Sequence, residues 1–331
     1  DRIGDVVLTS ATFAPLREHF PDASIRILVR PELEPLLTGE HGIEPVPCPP
    51  GGGAKGFHLD RFRFWRSYFR RNPADCILFF HPDNYLQFAA ASARIPRRIG
   101  YRRQIGQFAL NERLPYTRHL GLRHEAACNF DLLARIGCTA PEHLQPHLSA
   151  GGGEVASQPL TKPYAGFHPA AFGRKPRWPA ESYARLAQAI FAQYDWKIIL
   201  IGSESPRETL EAFDAAGLPQ AAWEDRGGQD SLTATAALLK NARVVVSRDS
   251  GPAHLAAAVD APLVCLMGQC DPIHSPTRWA PIGQNVRTII SDLPAQKGES
   301  RECRWKRCFE AISVEQVLSV IREVTGRGPL T

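Results

Sequence analysis

The sequence predicts an α/β protein whose two halves are each built on a parallel sheet, and three observations carry that prediction. Short apolar runs alternate with longer amphipathic stretches along the whole chain, the order expected of strand–helix–strand units. The best runs, at 76–80 and 244–246, are continuously apolar, as strands covered on both faces are. A stretch rich in Pro, Gly, Ser and Gln, 141–163, divides the alternation in two and reads as a linker. At 331 residues the chain is long enough for two ordinary domains, and we expect them at 1–150 and 151–331.

Composition narrows the class. Hydrophobic residues make up 44% and charged residues 22%, as in globular proteins that function in water. No apolar run reaches the ~18 residues that a membrane span needs. The eight cysteines are scattered, with no C-x-x-C pair. That pattern suits free thiols in a reducing cytoplasm rather than a disulfide framework, and Cys303 and Cys308 lack partners at the spacing of a zinc site. The only methionine is Met267, so the chain reads as a fragment of a longer one. Net charge is +5, but residues 55–123 hold fourteen Lys/Arg against four Asp/Glu. Such a block attracts an anion: nucleic acid, a phosphorylated sugar or an anionic membrane surface.

The elements follow in order. Residues 6–20 have helical spacing, with Pro15 placed to kink them. Residues 24–30 form a strand and 31–38 a short helix, followed by a Pro- and Gly-rich loop at 47–53. Residues 59–71 form a helix with Phe62, Trp65 and Phe69 on one face and arginines between. This aromatic face suits packing on a sheet, with a membrane surface as the alternative. The strand 76–80 ends at His81-Pro82-Asp83-Asn84, before a helix at 86–93. A strand at 95–101 enters an arginine-rich loop, and a helix at 124–136 closes on Gly137. The second half alternates as strand 164–168, helix to 193, strand 197–201, helix 207–216, helix 232–240, strand 244–246, helix 253–259 and strand 263–267. A C-terminal helix spans 313–324, with a capping signal at Ser313.

The chain is organised around 244–259, V-V-V-S-R-D-S-G-P-A-H-L-A-A-A-V. A strand, a glycine-bearing turn and a helix with Pro252 in its first turn make an anion site, because free N–H groups and the positive helix end face outward there. Asp249, Ser250, Gly251 and His254 lie within a turn of that end. Asp249 and Ser250 also suit a plain helix cap. In parallel α/β folds, ligands gather beyond the carboxyl ends of the strands. Five polar loops fall there: Asp5, 81–84, 169–175, 202–204 and 249–254.

These residues resemble a known family. R-I-G-D-V-V-L-T-S-A with F-P-D-A, then H-E-A-A-C-N-F-D-L-L-A-R-I-G, then H-P-A-A with K-P-R-W-P, then S-R-D-S-G-P-A-H-L-A-A-A are similar, in this order, to motifs of the bacterial heptosyltransferases, glycosyltransferase family 9. The resemblance implies a GT-B architecture, with two Rossmann-like domains facing across a cleft. It implies an inverting, metal-independent transfer of a sugar, heptose in this family, from a nucleotide-sugar (ADP-heptose) to a lipopolysaccharide-core-like acceptor. This family's chains open with a strand before R-x-G-D, which is missing here. Ala170 also stands where the family has glycine, a less open approach to phosphate.

On this resemblance, Asp5 is the expected general base, with an N-cap as its structural alternative. His168, Pro169, Ala170, Lys175, Arg177, Gly202, Ser203, Glu204, Asp249, Ser250, Gly251 and His254 are expected at the donor. Lys175 or Arg177 would meet the diphosphate, and Glu204 the ribose or base. Gly4, Arg61, Arg97, Arg98, Arg102 and Arg103 are expected at an anionic, lipid-linked saccharide acceptor, with peripheral contact at the inner membrane. No nucleic acid, cofactor or metal is expected. A nucleotide-sugar epimerase or hydrolase of the same fold, or a non-catalytic sugar-nucleotide-binding relative, is the competing reading. The retained Asp5 and the basic block favour transfer.

Overall fold

The computed structural model describes residues 2–48, 59–150, 160–170, 176–269 and 272–326. The N-terminal half runs α1 (Ile3–Ser10), α2 (Phe13–His19), β1 (Arg26–Val29), α3 (Glu34–Leu37), β2 (Glu44–Pro47), α4 (Leu59–Arg71), β3 (Cys76–Phe79), α5 (Asn84–Ser92), β4 (Arg97–Arg102), β5 (Glu112–Pro115) and α6 (Glu125–Leu133). The C-terminal half runs β6 (Tyr164–His168), α7 (Ala180–Tyr194), β7 (Lys197–Leu200), α8 (Arg207–Ala215), β8 (Trp223–Asp225), α9 (Leu232–Asn241) and β9 (Val244–Arg248). It continues through α10 (Gly251–Ala258), β10 (Leu263–Gly268), α11 (Pro276–Trp279), β11 (Val286–Ser291), α12 (Arg301–Glu310) and α13 (Val314–Thr325).

The C-terminal sheet is wholly parallel, in the order β11-β10-β9-β6-β7-β8. The chain enters at the centre on β6, winds outward through β7 and β8, then returns to β9 beside β6 and winds the other way. This is the doubly wound order, with its switch point between β6 and β9. Both faces are covered. Val245, Leu263 and Cys265 pack into one apolar layer with α10, while Val244, Val246, Val264 and Leu266 pack into another with α7, α12 and α13. Continuous apolar runs follow from that double burial.

In the N-terminal half the parallel strands form two sheets, β1-β2 and β3-β4-β5. No described strand pairs with both β1 and β3. Apolar clusters bridge the interval: Leu28 of β1 packs against the cluster that holds Phe79 of β3, and Ile25, Leu78 and Phe80 all pack against the cluster of Ala11, Leu16, Phe130, Leu133 and Cys138. Asp1, the glycine loop at 49–53 and Lys175 lie outside the described residues.

Two local expectations are corrected. The stretch 6–20 is not one helix kinked at Pro15. The helix starts earlier, at Ile3, and breaks at Ala11–Thr12. Thr12 donates its hydroxyl to the Thr9 carbonyl at 2.7 Å, and the break leaves Pro15 in the first turn of α2, where a missing N–H costs nothing. The linker is not loose throughout. Leu148 is 2% exposed and its N–H donates to the Ala258 carbonyl at the end of α10, at 3.0 Å. On α4, Trp65 and Phe69 are buried against α5 and β3, so the aromatic face packs inward.

Two of the places where the halves meet bear on the site. α1 packs on α10. Beyond it, Glu125 at the start of α6 accepts bonds from Arg118 of its own half and from Arg278 Nε of the other, the latter at 2.8 Å. All three side chains are under 10% exposed. Burial opposes the carboxylate, but the combined charges of Arg118 and Arg278 hold its pKa below the ordinary range. Arg118 continues to the Tyr101 hydroxyl at 2.9 Å and Asn129 at 3.0 Å, and Asn129 reaches Thr9 of α1 at 3.3 Å. Beside this network His124 accepts the Ala126 N–H on Nδ1, so Nε2 carries the proton and donates to the Ala280 carbonyl at 2.8 Å.

Two outcomes follow. Glu125→Ala leaves two buried guanidinium groups without their carboxylate and should cost about 3–5 kcal/mol in urea unfolding. A loss below about 1 kcal/mol would make the interaction a weak surface-type pair. His168, closing β6, is buried, and burial pushes its pKa down from 6.5 to about 4. In that window the unfolded chain holds a proton that the folded chain refuses, so stability falls as pH drops from 6.5, by about 3 kcal/mol near pH 4. Burial shifts His81 and His124 the same way. Urea midpoints for wild type and His168→Gln between pH 7 and 4.5 should converge as pH falls; parallel curves would refute the assignment.

Candidate functional site

At the switch point β9 delivers Ser247, Arg248 and Asp249 to the N-terminus of α10. Ser250, not Asp249, is the cap: its backbone is extended and its hydroxyl accepts the Ala253 N–H at 3.4 Å. That hydroxyl also lies 3.0 Å from Ser247 Oγ and 3.2 Å from His168 Nδ1. β6 and β9 thus place His168, Ser247 and Ser250 in one polar cluster under the helix end, where oriented N–H groups favour an anion. Asp249 instead faces His254, with Oδ1 3.5 Å from Nε2. His254 is 3% exposed and its Nδ1 has no hydrogen-bond partner among the described residues.

The N-terminus of α1 comes to the same point from the other half. A Cβ on Gly4 would lie 3.0 Å from His254 Cδ2, and one on Gly251 would lie 3.0 Å from Ile3 Cβ. Two glycines therefore let two helix ends close on each other. Asp5 is the third residue of α1, and Arg2 holds the cap position without a side-chain cap bond. The N-cap alternative for Asp5 is thereby excluded by geometry. Half-buried, Asp5 sits beside His81 at the end of β3. Burial lowers the His81 pKa, the Asp5 charge works against that, and Arg103 and Arg118 also act on the ring.

Arg103 and Arg102 lie exposed at the carboxyl end of β4, on the Asp5 side. Arg103 donates to the Tyr116 hydroxyl at 2.7 Å and covers its ring at 4.4 Å. Arg61 pairs with Asp83 at 2.6 Å, and Asp83 caps α5 just beyond His81. Arg97 and Arg98 are not brought to this group. They sit at the opposite end of β4, roughly 16 Å away along the strand. There Arg97 pairs with Glu112 at 2.7 Å, and Arg98 donates to the Ala109 carbonyl.

On the far side of His168, Gly202 has φ +136, and a Cβ there would sit 3.2 Å from His168 Nε2. Its carbonyl accepts the Gly228 N–H at 2.8 Å, and Ser203 and Glu204 stand exposed beyond it. Pro169 is buried and Ala170 half-buried. Arg177 is held by Glu208 at 2.8 Å. Sequence reasoning placed His81 only within the 81–84 loop at a strand end, and assigned no role to the Arg118–Glu125–Arg278 network or to Arg248. Arg248 is 2% exposed, lies 5.4 Å over both Trp305 and Phe309, and leaves Nε without a hydrogen-bond partner among the described residues. Its partners stand on α12, far along the chain, so no local pattern announces them.

Comparison with known proteins bears on this site. The model of glycosyltransferase family 9 (heptosyltransferase) matches residues 70–308. Lipopolysaccharide heptosyltransferase 2 of Salmonella typhimurium is 27% identical, covering 87% of this chain and 85% of its own. The Escherichia coli enzyme of that name is also 27% identical, with 91% and 89% covered. Among solved structures, E. coli ADP-heptose lps heptosyltransferase II superposes with a TM-score of 0.77 at 24% identity, over 98% of this chain and 96% of that one. The fold is accordingly GT-B, with two Rossmann-like domains. The chain belongs to glycosyltransferase family 9, the heptosyltransferase family.

Proposed function

We propose that this chain transfers heptose from ADP-heptose to an anionic, lipid-linked core saccharide, with inversion and with no metal at the reacting centre. The observation that carries the proposal is the meeting of α1 and α10 through Gly4, His254 and Gly251. It sets a carboxylate, Asp5, beside a helix end suited to a diphosphate. We assign the acceptor to residues 1–150 and the donor to 151–331.

In this reading the diphosphate lies on the N-terminus of α10, against Ser250 and His168. His168, neutral near pH 7, serves as a hydrogen-bonding group there rather than as a charge. Arg177 and Lys175 supply the cations, and Gly202 to Glu204 receive the nucleoside. The acceptor hydroxyl oxygen attacks the anomeric carbon as the bond to the diphosphate breaks. The leaving group takes that electron pair, and the hydroxyl proton passes to Asp5. The helix end and the cations stabilise the charge that develops on the leaving group.

The acceptor anion is assigned to Arg61, Arg102 and Arg103, around Asp5 and His81. Arg97 and Arg98, already engaged at the far end of β4, are left out of it. Among the described residues no helix is long and apolar enough to cross a membrane. Phe64 is 43% exposed on α4 beside Arg63, a surface suited to peripheral contact with the cytoplasmic face where such an acceptor resides.

Asp5→Asn preserves size and cannot take the proton. Its turnover should fall by about 10²–10⁴-fold while ADP binding, followed calorimetrically, stays at the wild-type value. Near-normal turnover would remove Asp5 from the chemistry. Arg103→Ala should raise the acceptor KM about 10- to 100-fold and flatten its dependence on salt, whereas Arg97→Ala leaves both unchanged. Equal effects from the two substitutions would place the acceptor elsewhere.

A further inference from the structure

The connection between the halves carries a second polar cluster, at the end of α10 opposite the donor site. Gly39, His41 and Gly42 all have left-handed backbones, with φ of +86, +47 and +65, so the chain turns sharply around Glu40. Histidine pays a modest penalty there that glycine does not. Arg17 holds the turn, donating from Nε to the His41 carbonyl at 3.0 Å and from Nη2 to the Gly42 carbonyl at 2.9 Å.

Glu40 is 4% exposed. Its Oε1 accepts the Ser149 N–H at 2.6 Å and the Ser149 hydroxyl, yet no Lys or Arg pairs with it among the described residues. A buried carboxylate without a cation is costly, and such groups are ordinarily paired or metal-bound. The donor atoms of Glu40, His41 and His147 all lie within 4.8 Å of one another. Both imidazoles are exposed, and neither has a hydrogen-bond partner among the described residues.

We infer that Glu40, His41 and His147 form a binding site for a zinc-class divalent transition ion. Two imidazoles and one carboxylate are the donor set of such ions, whereas Mg²⁺ and Ca²⁺ prefer oxygen alone. Tetrahedral zinc separates its ligands by about 3.4 Å, which exposed histidines reach by side-chain rotation, with water filling the fourth position. Ser149 already orients the carboxylate from behind, as outer-shell partners do.

The ion would tie the 39–42 turn of the N-terminal half to the 147–149 segment. That segment is fastened to the C-terminus of α10 through Leu148 and Ala258. Helix α10, about 12 Å long, separates that contact from the donor end, so the ion acts on the join between the halves and takes no part in the transfer step.

The test uses the whole chain, stripped with a chelator and dialysed, and titrated with ZnCl₂ or MgCl₂ by calorimetry and thermal unfolding. One equivalent of Zn²⁺ should bind and raise Tm, and Mg²⁺ should do neither. His41→Ala and His147→Ala, both at exposed positions, should each lower zinc affinity at least about tenfold with an unchanged metal-free Tm. Absence of zinc binding in the wild type overturns the inference. So does binding of equal strength in the doubly substituted chain, which would assign the ion to the cysteines.

Discussion

The meeting of α1 and α10 is a constraint of atomic size. At Gly4 and Gly251 there is no room for a side-chain carbon without displacing His254 or Ile3, so the distance between the two helix ends is set by what those residues lack. Everything proposed for the site depends on that distance. Asp5 gains its place from the first turn of α1, and the anion-binding end of α10 gains its opposing wall. His254 fills the interval, with Asp249 against one ring nitrogen.

A second set of interactions keeps that approach in register. Thr9, four residues beyond Asp5, is reached by Asn129, which is held by Arg118, which shares Glu125 with Arg278 of the other half. The chain of bonds runs from the helix that bears Asp5 to the half that bears α10. Its core is dry, so its charges are weakly screened, and removing any member strands its partners. His124 adds a neutral bond beside it, with its tautomer set by the α6 cap.

Much of the architecture was legible in the residues, and the strands that were not share one physical cause. Central strands such as β6, β9 and β10 are buried on both faces, and their unbroken apolar runs announce them. The four strands that the pattern passes over, β2, β5, β8 and β11, all lie at sheet edges. There one side meets solvent, and E-P-V-P or W-E-D can serve. The site divides similarly. Ser250, Gly251 and His254 could be read because helix-end chemistry is local. Arg97 and Arg98 were misplaced by reading the four arginines as one loop, whereas the first two open β4, at the end away from the strand's carboxyl terminus. Arg248 and Glu125 were invisible for a further reason: their partners stand on α12 and α11, brought near only by the completed fold.

The Glu125 network has a consequence for recombination between relatives. The carboxylate and one cation belong to the N-terminal half, and the second cation, Arg278, to the C-terminal half. A chimera that joins this N-terminal half to a foreign C-terminal half inherits a buried acid built for two arginines. Unless the incoming half brings a guanidinium to the position of Arg278, the seam between the parents carries a charge imbalance in a place that water does not reach. Exchange of whole halves therefore carries a requirement at the position of Arg278, set by an acid that belongs to the other half.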